Sequence, residues 1–173
     1  MEEQIILVDQ NDREIGAGEK TSVHKKGLLH RAFSILILNK NGEMLLQQRA
    51  NIKYHSGGKW SNVCCGHPRP SESIEKAAER RLMEEIGIKC ALRELFTFIY
   101  KVGLDNGLTE HEFLHVFIGE FNGAPEPNPD EVDNWEWTGV DELQQGMKVH
   151  PGKYTYWFKI AFEKYMGNYA DYK

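Results

Sequence analysis

Apolar positions along the chain change their period several times, and each change marks an expected element. Glu2 to Asp9 holds the apolar run Ile5, Ile6, Leu7 and Val8 just ahead of Gln10-Asn11-Asp12. A short apolar run that meets residues able to bond their own backbone predicts a first strand and its turn. Ala32 to Asn39 is apolar at nearly every position and predicts a buried strand; the turn Asn39 to Gly42 and a second strand, Glu43 to Gln48, complete a hairpin. From Ser73 to Ile86 the period lengthens, because Ile74, Ala77, Ala78, Leu82 and Ile86 recur at steps of three and four or their sums. That spacing lays an apolar stripe along a helix, with Ser71 as the expected cap and Gly87 as the expected stop.

Alternation by two returns at Phe113, His115, Phe117, Gly119 and Phe121 and predicts another strand, before a loop from Gly123 to Asp130 rich in Pro and Asn. Trp135 and Trp137 alternate in a further short strand, Val140 to Gln145 reads as a brief helix, and Tyr154 to Tyr165 suits a terminal amphipathic helix. Strands, helix, strands and helix follow one another with no internal repeat or low-complexity linker. A single domain over residues 1–173 is expected.

Composition narrows the classes of function. With 40% hydrophobic residues in 173, the chain suits one full core. Lys and Arg number 21 against 26 Asp and Glu, a formal charge of -5, and the basic residues form no stripe, so no nucleic acid partner is expected. No stretch approaches the roughly 20 apolar residues of a spanning helix, and Met1 to Asp12 lacks the pattern of a secretory signal. Three cysteines, Cys64 beside Cys65 and Cys90 far off, make a poor disulfide framework. The expectation is a soluble cytoplasmic protein, monomeric or weakly dimeric, with no membrane partner.

Several residues are able to carry chemistry. His24, His30 and His67 with Glu110 and Glu112 offer nitrogen and oxygen donors, a set that suits a divalent ion in five or six coordination better than a closed tetrahedral zinc site. In a strand Glu110 and Glu112 face the same side, where two like charges are costly unless a cation relieves them. By the same parity Cys65 faces the side of His67, and Cys64 the other. Competing structural readings are buried cysteines acting as small hydrophobes, packed aromatics at Tyr100 and Trp157, and a Glu85 paired with Arg81 on a helix surface, worth about 0.2 to 0.5 kcal/mol.

Gly66, Glu72, Arg80, Glu84, Glu85 and Gly87 stand at the spacing of the Nudix box, and Arg81 occupies the place of its remaining glutamate. The wider chain, from about Lys20 to Trp157, resembles type 1 isopentenyl-diphosphate isomerases. The resemblance is carried by Trp60, Asn62, Cys65, His67 and Pro68, by His24 and His30 ahead of Arg31-Ala32-Phe33-Ser34, by Glu110-His111-Glu112, and by Trp157. His24 and His30 are six positions apart, whereas the bacterial pattern places them seven apart. Their loop, which contains Gly27, is therefore expected to be one residue shorter.

The resemblance implies an α/β fold, Nudix-like mixed β-sheets packed between helices. It implies isomerisation of isopentenyl diphosphate to dimethylallyl diphosphate by antarafacial protonation and deprotonation, with Cys65 on one face and Glu112 with Tyr100 on the other. It further implies Mn2+, Zn2+ or Mg2+ held by His24, His30, His67, Glu110 and Glu112, and Mg2+ at Glu85. The isoprenoid diphosphate would be bound by Lys20, Arg49, Lys53 and Arg81, with Trp157 facing the developing cation. Two alternatives stand beside it: a Nudix hydrolase of a nucleoside or sugar diphosphate, and a catalytically silent diphosphate-binding protein. Arg81 in place of glutamate counts against the first, and retention of both proton carriers against the second.

Overall fold

The least polar stretch of the chain becomes the centre of the sheet. The computed structural model describes residues 2–53 and 55–168. In chain order its elements are β1 (Gln4–Val8), β2 (Glu14–Glu19), α1 (Lys20–Lys26), β3 (His30–Leu38), β4 (Glu43–Arg49), β5 (Trp60–Asn62), β6 (Cys64–Gly66) and α2 (Ile74–Ile86). There follow β7 (Leu92–Gly103), β8 (Thr109–Glu120), β9 (Val132–Gly139), α3 (Val140–Val149) and α4 (Tyr156–Gly167). One edge of β3 runs parallel to β8 from His30↔Glu112 to Leu38↔Glu120. The other edge meets three antiparallel partners in turn: β1 at Leu7↔His30, β6 at Phe33↔Gly66 through Ile35↔Cys64, and β4 at Leu38↔Met44. β7 pairs with β8, and β5 and β9 both pair with β4.

A strand covered on both faces needs apolar side chains on both, which explains the unbroken apolar run in β3. Ala32 and Leu36 join Leu114, Val116 and the α4 residues Trp157, Phe158, Ala161 and Phe162 in one core. Phe33, Ile35 and Ile37 join Phe117, Cys64 and the α2 residues Ala77, Ala78, Leu82 and Ile86 in the other. The mixed sheet thus lies between α2 and α4, the α/β arrangement expected. Among the described residues no helix is long and apolar enough to cross a membrane.

The central helix spans the predicted stripe, but its cap is Ser73 and not Ser71. The Ser73 hydroxyl accepts from the Lys76 amide at 3.4 Å, whereas Ser71 sits in the preceding turn with φ 68°. Gly87 ends the helix at φ 68°, and a Cβ there would meet the Glu126 carbonyl oxygen at 2.6 Å. Glu110-His111-Glu112 lies inside β8, which begins at Thr109, ahead of the alternation that starts at Phe113. The last helix begins at Tyr156, because Tyr154 is used in a bridge to Trp60. α3 continues to Val149, beyond the expected Gln145.

Candidate active site

Register puts three chemically distinct side chains in one row. His30 is opposite Glu112 across β3 and β8, and Tyr100 is opposite Glu112 across β7 and β8, so all three project from the same face. α1 adds His24 from its last turn, and His67 follows directly after β6. Ligand atoms of His24, His30, His67 and Glu112 lie within 4.8 Å of one another, and all four residues are buried. Glu110 stands outside this group: its Oε2 lies 3.0 Å from the Tyr100 hydroxyl.

Two backbone carbonyls set the histidine tautomers. His24 Nδ1 is 2.7 Å from the Lys20 oxygen and His30 Nδ1 is 2.9 Å from the Leu28 oxygen. A carbonyl only accepts, so each Nδ1 carries a proton, and the lone pair that a ligand would use lies on Nε2 in the neutral form of either ring. His30 Nε2 and His67 Nδ1 are buried with no hydrogen-bond partner. Unsatisfied buried nitrogens beside a carboxylate fit a cation, which takes lone pairs and offers charge in return. Glu112 divides its oxygens: Oε1 lies 3.3 Å from His67 Nε2, while Oε2 accepts from Tyr100 at 2.7 Å.

A cavity of about 240 Å³ opens beside this cluster. Lys20, Arg49, Lys53 and Arg81 line it together with Cys65, Glu85 and Trp157, while His30 and Tyr100 lie behind, against Glu112. Arg81 bonds Glu85 at 2.5 Å and Glu84 at 2.8 Å, and Gln47 donates to the other Glu85 oxygen at 3.1 Å. The Arg49 guanidinium lies 5.2 Å from the centre of the Trp157 ring.

A NUDIX domain model matches residues 28–158. The isopentenyl-diphosphate Delta-isomerase of Pectobacterium atrosepticum is 49% identical over 93% of this chain and 90% of its own length. The protein of the same name from Burkholderia multivorans is 49% identical over 95% of this chain and 93% of its own length. The chain belongs to the isopentenyl-diphosphate Delta-isomerase family. Its fold is shared by a Deinococcus radiodurans protein solved by crystallography, with a TM-score of 0.71 at 18% identity over 86% of this chain and 90% of that one. The Nudix hydrolase RenU of M. smegmatis gives 0.61 at 18% identity over 97% and 96%.

In this member of the isomerase family, burial governs the protonation states. It pushes the Cys65 thiol up to about 12 and the Tyr100 phenol well above its ordinary value, so both carry their protons near neutrality. It lowers His67 to about 4 and also lowers His24, which leaves both rings neutral and able to act as ligands. Burial and the charge of Glu112 raise Glu110 to about 8. Burial works the same way on Glu112, but the His30 and His67 rings beside it hold it below the ordinary carboxylate range. Two close carboxylates without a cation settle in this way, one protonated and one ionised.

Glu131 and His55, which line the cavity, and Gln47, which lies behind Glu85, had no signal in the sequence. Glu131 bonds Lys53 and also lies 3.4 Å from Arg81, so it holds two of the expected diphosphate cations. Gln47 orients Glu85, and His55 meets the edge of Trp157 with ring centres 5.7 Å apart. Nothing in the linear pattern sets Glu131 apart from the other acids near the 123–130 loop.

Proposed function

We propose that the protein isomerises isopentenyl diphosphate to dimethylallyl diphosphate, Cys65 and Glu112 exchanging protons with opposite faces of the isoprenyl group. The observation that carries this reading is that a thiol and a carboxylate border one small cavity which also gathers four cations. They come from strands on opposite edges of β3, because β6 pairs on one side and β8 on the other. Two strand spacings, roughly 10 Å, therefore separate the backbones that carry them. That leaves room for a five-carbon chain between the side chains.

His24, His30, His67 and Glu112 would hold a divalent ion, Mn2+, Zn2+ or Mg2+, with Glu110 as a further donor once it leaves Tyr100. Bound there, the ion supplies a fixed positive charge beside Glu112, and Mg2+ at Glu85 supplies a hard centre for diphosphate oxygens. Arg49 and Arg81 present paired donors to the diphosphate, and Lys20 and Lys53 add point charge. Lys20 is now paired with Glu3 at 2.9 Å and Lys53 with Glu131, so the substrate's anion competes with these carboxylates for its cations.

One proton is added to the alkene and one removed from the neighbouring carbon, with positive charge developing at the tertiary carbon between them. General acid–base catalysis by Cys65 and Glu112 accounts for both transfers, and Tyr100 orients Glu112 through its Oε2. Trp157 offers its ring face to the developing cation, worth about 0.5 to 2 kcal/mol. The buried walls keep water from that cation, which would otherwise be trapped as an alcohol. Free cysteines and a net charge of -5 fit a cytoplasmic enzyme with a small diphosphate substrate and no nucleic acid partner.

The test incubates purified protein with isopentenyl diphosphate and Mg2+ or Mn2+ and follows dimethylallyl diphosphate and free phosphate together. Isomer without phosphate release is the expected result. Phosphate release without isomer would favour the hydrolase, and neither product the silent binder.

A further inference from the structure

Behind the cavity wall, Cys65 ends a hydrogen-bonded string that the acid–base scheme does not use. Its centre is Asn62, fully buried at the end of β5. Asn62 Nδ2 lies 3.1 Å from the Ile35 carbonyl oxygen and 2.7 Å from that of Cys64. Both oxygens only accept, so the orientation of the amide is fixed: its NH2 faces the two carbonyls and its Oδ1 faces away. Cys65 Sγ at 3.2 Å and Ser61 Oγ at 3.1 Å meet that Oδ1. An amide oxygen has no proton to give, so the thiol and the hydroxyl are the donors.

Two consequences follow along the string. Ser61, with its proton turned to Asn62, offers its oxygen to the indole N–H of Trp157 at 3.0 Å and to the Thr155 hydroxyl, which then donates, at 3.0 Å. Ser34, opposite Cys65 in the β3–β6 register and 3.5 Å from its sulfur, is then the group that donates to the sulfur. We propose that Asn62 is a positioning residue for isomerisation, whose single buried amide oxygen aims the Cys65 thiol and, through Ser61, steadies the Trp157 ring. This rests on the isomerase reading above. A purely structural asparagine would need only the two bonds from Nδ2, which tie β3, β5 and β6 together. The bonds accepted by Oδ1 connect the thiol on one strand with the aromatic wall on α4.

The proposal makes a spectroscopic prediction independent of turnover. The infrared S–H stretch of Cys65 is isolated as the difference between the wild-type protein and Cys65→Ser, and its frequency should be that of a donating thiol. In Asn62→Leu the band should move to the position of an unbonded S–H, while Ser34→Ala should leave it near its wild-type place. Turnover of isopentenyl diphosphate should fall by about 10- to 100-fold in Asn62→Leu, the scale of a misplaced reacting group, with KM almost unchanged because the diphosphate contacts are elsewhere. If Asn62→Leu fails to fold, the wild-type and Ser34→Ala bands still decide. An unbonded band in the wild type, or a band freed by Ser34→Ala, overturns the proposal, as does an unchanged kcat in folded Asn62→Leu. A wild type that does not isomerise at all, yet shows the bonded thiol, would instead sink the functional reading.

Discussion

Removing divalent ions should cost the protein a measurable part of its stability, and the structure sets the scale. Without a cation His30 Nε2 and His67 Nδ1 remain buried and unpartnered. Each such atom costs about 1–3 kcal/mol, so ligation has roughly 2–6 kcal/mol to recover. An ion supplied at about 100 times its dissociation constant stabilises the native state by about 2.7 kcal/mol, which lies inside that range. For a domain of this size 1 kcal/mol moves the melting midpoint by about 2–4 °C, giving an expected rise of about 5–11 °C. The assay melts chelator-treated protein by circular dichroism with no ion and with Mg2+, Mn2+ or Zn2+ returned, in the wild type and in His67→Ala. The variant should lose most of the increment and most of its bound metal. An equal increment in folded His67→Ala, or none in the wild type with any of the ions, would refute the ligand assignment.

The thiols give an ordered comparison: Cys65→Ser should nearly abolish turnover at matched metal occupancy while Cys64→Ser stays active, because Cys65 lines the cavity and Cys64 packs with the α2 core. Retained activity in Cys65→Ser would defeat the thiol assignment. Tyr100→Phe removes the donor 2.7 Å from Glu112, and a bond to a charged group is worth about 1.5–3 kcal/mol. The kcat should fall by roughly 10- to 150-fold with KM little changed, as read from steady-state kinetics. Arg81→Ala should raise KM for the diphosphate and, by leaving the buried Glu85 without its cation, destabilise by about 3–5 kcal/mol in a urea melt. Arg81→Glu should not create efficient pyrophosphate cleavage, which phosphate release would reveal.

Elements whose burial repeats regularly were legible in the chain itself. The apolar run of β3 and the stripe from Ile74 to Ile86 identify a central strand and the helix that covers it, because each side chain's period reports the face it buries. Parity likewise separates Cys64 from Cys65, since an extended segment turns neighbours to opposite sides, and they belong to different sides of the sheet. The same signal fails for β7, whose twelve residues bury only Leu95 and Tyr100, and for α1, whose seven residues are too short to display a period. Ser71 reads as the cap of that helix, and only the backbone turn there, with φ 68°, moves the cap to Ser73.

The candidate site divides along the same line. Its residue types and the motif from Trp60 to Pro68 can be read in order along the chain, and so can the like-charge conflict of Glu110 and Glu112. Tertiary structure decided that β8 lies parallel to β3 with Glu112 opposite His30, that Tyr100 stands on Glu112's other side, and that Glu110 turns to Tyr100 while Glu112 meets the histidines. It also brought Glu131 between Lys53 and Arg81. Side-chain period is a local property, carried by each segment alone. Which strands become neighbours, and in what register, depends on contacts between segments as far apart as His30 and Glu112, whose choice minimises unsatisfied backbone and buried charge over the whole sheet.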